Sequence, residues 1–191
     1  MRLISRFLLF CLGWRTQGSL GHLQKCVLIA APHTSNWDLF YTLLMAFNLK
    51  TGIYWMGKDS IFTKPFAGIM KWLGGIPIDR SKSNNVVGQS IQMFNQNEKM
   101  VLTVPPSGTR SRVTYWKTGF YHIANNAKVP IALGFLDYGL KIGGIGPTFR
   151  TTGDIEADMK VISAFYAGIT GKYPLQGSGA IVYKPRQDKA A

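Results

Sequence analysis

His33 and Asp38 are five residues apart in the stretch Ala31-Pro32-His33-Thr34-Ser35-Asn36-Trp37-Asp38. An imidazole can take a proton from a hydroxyl when a carboxylate fixes its tautomer and stabilises its charged form, so this pair could act as a general base. The spacing sets a condition. Five residues are about 500° of helix, roughly 140° away from the same face at 3.6 residues per turn. His33 must therefore lie in a turn ahead of a helix and Asp38 in that helix's first turn. The flanks suit this. Cys26 to Ala31 is an apolar run of buried-strand type, Pro32 biases the residue before it toward extended geometry, and Leu39 to Leu49 is an apolar helix. Thr34 or Ser35 is its expected cap. The same residues admit a second reading: Ser35-x-x-Asp38 resembles a capping box, and an acid suits a helix N-terminus without any chemistry.

Two further stretches offer cations and backbone N–H groups. Pro105-Pro106-Ser107-Gly108-Thr109-Arg110-Ser111-Arg112 follows the buried-type strand Met100 to Val104 and precedes a helix expected over Tyr115 to Ala127. A strand, a glycine turn, then hydroxyls and arginines before a helix can form an anion site. It is not the Walker pattern, since no Gly-Lys-Ser/Thr occurs. Gly74-Gly75-Ile76-Pro77-Ile78-Asp79-Arg80 leads a short extended segment into a cation, and the planar fork of Arg80 can grip a phosphate. Pairing with Asp79, or solvation, is the alternative for Arg80. His22, His33 and His122 are scattered with no cysteine pair beside them, so no metal site is expected.

The elements that must position these groups alternate. Strands are expected at Cys26 to Ala31, Ile53 to Lys58, Met100 to Val104 and Val129 to Leu136, and helices at Leu39 to Leu49, Ser60 to Leu73, Val86 to Asn97 and Tyr115 to Ala127. Phe62, Phe66, Ile69, Met70 and Leu73 form a stripe expected mainly in the core. Asp137-Tyr138-Gly139 turns the chain into an antiparallel segment, Leu140 to Ile145. Asp154 caps a last helix ending near Gly171, and Ile181 to Tyr183 is a candidate edge strand. The fold class is therefore α/β, a mostly parallel central sheet flanked by helices. His33, Arg80 and Ser107 to Arg110 all follow strands, and in such sheets functional loops gather at the strands' carboxyl ends.

The 191 residues suit one domain, with residues 1–20 as an amphipathic membrane-surface helix, 21–184 as the domain proper and 185–191 as a loose tail. The apolar run Phe7 to Leu12 is too short to span a bilayer, and no small-x-small cleavage site follows it. A terminal helix packed on the core is the competing reading. Hydrophobic residues make up 46% and charged ones 16%, which suits a membrane-surface protein. The 22 Lys and Arg against 9 Asp and Glu give a net charge of +13 and call for an anionic partner. Nucleic acid is not expected, because the basic residues form no single run and no recognition motif is present. Cys11 and Cys26 are expected to be buried and reduced, which suits an intracellular chain.

Taken together, these blocks resemble the glycerolipid acyltransferase family, whose best-known members are 1-acylglycerol-3-phosphate acyltransferases. His33 to Asp38 matches its His-x-x-x-x-Asp signature, Gly74 to Arg80 its Gly-x-Ile-x-Ile-Asp-Arg block, Gly108-Thr109-Arg110-Ser111 its Glu-Gly-Thr-Arg-Ser block, and Val129 to Ile131 its Val-Pro-Ile strand. The departures are Pro77 for a frequent phenylalanine, Gly134 for a frequent proline, and Ser107 for the usual glutamate. The resemblance implies acyl transfer from acyl-CoA or an acyl carrier protein, as co-substrate with no other cofactor, to a lysophospholipid hydroxyl at the cytoplasmic face of an anionic membrane. It implies His33 and Asp38 as the catalytic pair and Arg80, Ser107, Gly108, Thr109 and Arg110 as substrate-binding residues. Serine keeps hydrogen-bonding capacity but no charge, so lowered turnover is expected of Ser107. A non-catalytic lipid- or carrier-binding module of the same fold is the rival.

Overall fold

A computed structural model describes residues 1–78 and 86–177. Arg80, the edge strand expected at Ile181 to Tyr183 and the tail from Lys184 lie outside the described residues. The described chain runs α1 (Arg2–Cys11), β1 (Arg15–Gln17), β2 (Lys25–Ala31), α2 (Trp37–Leu49), β3 (Tyr54–Lys58), a 3-10 turn (Asp59–Ile61), α3 (Ala67–Trp72), β4 (Gly75–Ile78), α4 (Val86–Gln96), β5 (Met100–Val104), α5 (Gly119–Ala127), β6 (Ile131–Asp137), β7 (Ile142–Phe149) and α6 (Ile155–Tyr166). The seven strands form one sheet in the order β1-β7-β6-β2-β5-β3-β4. Every neighbouring pair is parallel except β6 with β7. This is the expected α/β class.

Continuous apolar runs suit strands covered on both faces, and β2, β5 and β6 are such runs. Val27, Ile29, Leu102, Ile131 and Leu133 on one face meet Phe94, Phe120, Ile123 and Ile162 from the helices. Register then places the site. Ile29 pairs with Val104 and Ala31 with Phe135, so the turns leaving β2, β5 and β6 emerge side by side at the sheet's carboxyl edge. Gly134 permits this: a Cβ there would lie 2.6 Å from the Ile29 carbonyl oxygen. A second buried carboxylate, Asp158, ties α6 to α5 by accepting from the Tyr121 hydroxyl at 2.8 Å. Burial and that bond push the Tyr121 phenol up to about 12. Asp154 caps α6 as expected, accepting from the Glu156 and Ala157 N–H groups, although the helix ends at Tyr166 rather than near Gly171.

Four expectations need correction. The helix expected over Ser60 to Leu73 is a 3-10 turn followed only by Ala67–Trp72, because Pro65 lacks a donor and disfavours helical geometry in the residue before it. Its apolar stripe is not core: Phe66 and Ile69 are exposed, Phe62, Met70 and Leu73 are only half-buried, and the adjacent Trp72 is 64% exposed. Trp72 instead lies against Phe47 of α2. Cys11 is exposed while Cys26 is buried, its thiol pushed up to about 12 by burial. The helix expected in residues 1–20 occupies only Arg2–Cys11, and β1, too short to carry a periodic signal, follows it and joins the sheet beside β7.

α1 packs on α2 through Ser5, Leu8 and Leu9, with Leu9 in a cluster that includes Trp14 and Leu44. Ser5 and Leu9 are its buried residues, whereas Leu3 and Phe10 are each 81% exposed and Phe7 65%. No helix among the described residues is long and apolar enough to cross a membrane.

Candidate active site

The turn from β2 into α2 does what the spacing required. His33 precedes the helix, Asn36 is its N-cap, and Asp38 lies in its first turn. The Asp38 carboxylate accepts four bonds. Oδ2 takes the Thr34 N–H at 2.7 Å, the Ser35 N–H at 2.9 Å and His33 Nδ1 at 3.1 Å, and Oδ1 takes the Tyr138 hydroxyl at 2.7 Å. One carboxylate thus pairs with the imidazole and also accepts from the Ser35 N–H, as in half of a capping box, although the N-cap is Asn36 rather than the expected Thr34 or Ser35. The Ser35 hydroxyl completes the local net by accepting from the Trp37 N–H at 3.1 Å.

Electrostatics keep Asp38 ionised. Burial alone would push the Asp38 carboxyl up, but the bonds from His33, Tyr138, Ser35 and Thr34 outweigh it and hold it below the ordinary value of 3.8. An ionised carboxylate only accepts, so His33 Nδ1 carries a proton, and in the neutral imidazole Nε2 is the acceptor. The His33 side chain keeps 26% of its surface exposed and that of Asp38 only 6%. The carboxylate is thus sealed while the imidazole stays partly exposed at the cavity. Burial and the bond to Asp38 raise the Tyr138 phenol well above its usual value, so it remains a donor.

Because the folded-state value of Asp38 is depressed, the net's stabilisation is fully present above about 3.8 and is lost as pH falls through the lower folded-state value. Tyr138→Phe removes one donor and lets the Asp38 carboxyl rise. The expected result is about 1–2 kcal/mol of lost stability at neutral pH and an acid-unfolding midpoint moved to higher pH, read by circular dichroism during acid titration.

In the sequence Tyr138 is marked only as part of a turn. It lies 100 residues from Asp38 and reaches it because β6 pairs with β2. Its ring packs edge-on against Trp14 and Tyr41. Asp137, next to it, closes the turn by accepting from the Gly139 and Leu140 N–H groups.

The turn after β5 comes alongside. Gly108 has φ +65°, a conformation that favours glycine, and its N–H closes on the Pro105 carbonyl at 3.0 Å. The Ser107 hydroxyl donates to the Thr109 carbonyl at 2.7 Å. Arg110 is exposed. The turn divides two cavities. Gly108, Thr109 and Arg110 line the first with His33 and Asp38, whereas Ser107 lines the second, again with His33. Ser107 thus faces a different space from Arg110. Of the sequence-derived site residues, His33, Asp38, Gly108, Thr109 and Arg110 meet at one cavity, Ser107 borders its neighbour, and Arg80 lies outside the described residues.

The first cavity has a volume of about 440 Å³. It extends from His33 between α2 and the sheet, past Met45, Ala46, Leu49, Ile53 and Trp55. A polar mouth over an apolar interior suits an amphiphile.

Comparison with known proteins agrees with this geometry. Residues 17–132 match the model of the acyltransferase family. A 1-acyl-sn-glycerol-3-phosphate acyltransferase of Haemophilus influenzae is 31% identical over 106 residues, 52% of this chain and 42% of that protein. One from Escherichia coli K12 is 33% identical over 108 residues, 53% of this chain and 42% of that protein. The chain thus matches less than half the length of these curated relatives. The crystal structure of the 1-acyl-sn-glycerophosphate (LPA) acyltransferase PlsC of Thermotoga maritima superimposes with a TM-score of 0.61 and 14% identity, covering 86% of this chain and 76% of that one. At that identity the likeness is one of fold.

Proposed function

This chain belongs to the acyltransferase family, and from that premise we propose that it transfers a fatty acyl group from acyl-CoA or an acyl carrier protein to the hydroxyl of a lysophospholipid such as 1-acylglycerol-3-phosphate, giving phosphatidic acid. The observation that carries this is the His33–Asp38 pair at the mouth of an apolar cavity. His33 Nε2 takes the acceptor's hydroxyl proton as the oxygen attacks the thioester carbonyl, and Asp38 stabilises the imidazolium. The acceptor is itself the nucleophile, so no acyl-enzyme is needed.

The tetrahedral oxyanion calls for preorganised donors. The N–H groups of Gly108, Thr34 and Ser35 are already committed to Pro105 and Asp38. Those of His33, Thr109 and Arg110 are left as the candidates beside the cavity. The Arg110 guanidinium, with Arg80, serves the acceptor phosphate and converts remote binding into orientation of the hydroxyl. The acyl chain occupies the space between α2 and the sheet.

The exposed Leu3, Phe7 and Phe10 of α1, flanked by Arg2 and Arg6, and the exposed Phe66 and Trp72 near Lys64 and Lys71 suit peripheral attachment to an anionic, cytoplasmic-face membrane. Incubation with acyl-CoA or acyl carrier protein and 1-acylglycerol-3-phosphate on anionic vesicles should yield phosphatidic acid. Failure with both donors would count against the proposal.

Ser107 supports a second reading, a binding module with impaired catalysis. In the main reading, serine in place of the family's usual glutamate slows turnover, and Ser107→Glu is expected to raise kcat severalfold. An unchanged kcat would mean that the serine-closed turn is fully competent. Ligand binding unaffected by His33→Ala, with no transfer by either the unaltered chain or the Ser107→Glu variant, would favour the binding module.

A further inference from the structure

Two cavities meet at His33, and only the first has a role in the reading above. The second, about 450 Å³, lies between the turn after β5 and the end of α6 with the segment that follows it. Thr34, Ser107, Ser111, Ser163, Thr170 and Gln176 line it. Its described lining contains no Lys, Arg, Asp or Glu, whereas Lys58 and Arg110 border the first cavity. Hydroxyls and an amide without fixed charge suit a neutral chain that can donate and accept hydrogen bonds, and give a phosphate nothing to neutralise it. The volume lies in the range of small-molecule sites.

We infer that the second cavity receives the pantetheine arm of the acyl donor, the neutral, amide-bearing chain that ends at the thioester sulfur. The inference rests on the acyl-transfer reading. In that reaction the acceptor oxygen bonds to the thioester carbonyl carbon, the C–S bond breaks with its electron pair leaving on sulfur, and the proton taken by His33 passes to the thiolate. The carbonyl must therefore lie beside His33 with its two substituents leading apart. The acyl chain enters the apolar first cavity. The sulfur side needs another exit, and His33 borders both spaces. The same imidazole can then accept a proton on the acceptor's side and deliver it on the thiol's side. Charge completes the allocation: the anionic acceptor stays with Arg110, and the neutral arm takes the uncharged cavity. The arm is common to acyl-CoA and acyl carrier protein, so the site serves either donor.

Ala167 borders the cavity from the end of α6 and is exposed, so a larger side chain there fills the entrance without disturbing the core. Ala167→Phe should leave the melting temperature unchanged, raise KM for the acyl donor roughly tenfold and leave KM for 1-acylglycerol-3-phosphate unchanged. Binding is read separately with the decyl thioether of pantetheine, which cannot transfer its chain: the wild type should bind it, and Ala167→Phe roughly tenfold more weakly. Equal binding by both proteins, no binding by the wild type, or a rise in acceptor KM alone would overturn the assignment. If no acyl transfer is detected but Ala167→Phe weakens thioether binding, the transfer reading fails while the cavity assignment stands.

Discussion

His33→Ala is expected to lower acyl transfer by roughly 10²–10⁴-fold, with the fold and lipid binding retained. The imidazole lines the cavity with its Nδ1 on Asp38 at 3.1 Å, which leaves Nε2 as the proton acceptor of the neutral ring. Its removal takes one donor from the buried Asp38 carboxylate, a cost of about 1–2 kcal/mol as for Tyr138→Phe, and leaves the cavity beside it in place. The effect should therefore fall on kcat rather than on KM for either substrate. The check is steady-state kinetics of thiol release with each substrate varied. A loss confined to KM would show that His33 binds rather than reacts.

Asp38→Ala should be damaging in a different way. The carboxylate holds the Thr34 and Ser35 N–H groups, the imidazole and the Tyr138 hydroxyl in one buried net. Deleting it leaves these donors unpaired in a buried setting and should cost roughly 3–5 kcal/mol of stability. Asp38→Asn separates chemistry from folding. An amide nearly matches the shape and its oxygen can still accept from His33, but it carries no charge to stabilise the imidazolium, so activity should fall by about 10³–10⁴-fold while much of the fold's stability survives. Denaturant unfolding and kcat measured on the same protein preparations test both halves. A stable, fully active Asp38→Asn protein would remove the carboxylate from the mechanism.

Much of this site is legible in the sequence because its signals are local. Pro32 ends β2, Asp38 lies in the first turn of α2, and the five-residue interval between His33 and Asp38 works only in that arrangement. The apolar runs of β2, β5 and β6 likewise announce a buried parallel sheet. Tyr138 is not legible, because its bond to Asp38 depends on the register of β6 against β2 across 100 residues of chain. Nor is the direction of the 107–110 turn, which turns Ser107 to one cavity and Arg110 to the other. The stripe through Phe66 and Ile69 shows the limit of periodicity: spacing identifies an apolar face but not whether core or surroundings will cover it.

The central claim is direct transfer, with His33 acting on the acceptor's hydroxyl and no acyl group resting on the protein. The measurement that tests it most directly is a single-turnover experiment with a donor labelled in its acyl chain, quenched at intervals with and without 1-acylglycerol-3-phosphate. The account predicts that free thiol appears only when the acceptor is present, in step with label in phosphatidic acid, and that none of the label is bound covalently to protein. A burst of thiol without acceptor, with label retained on the chain, would contradict it.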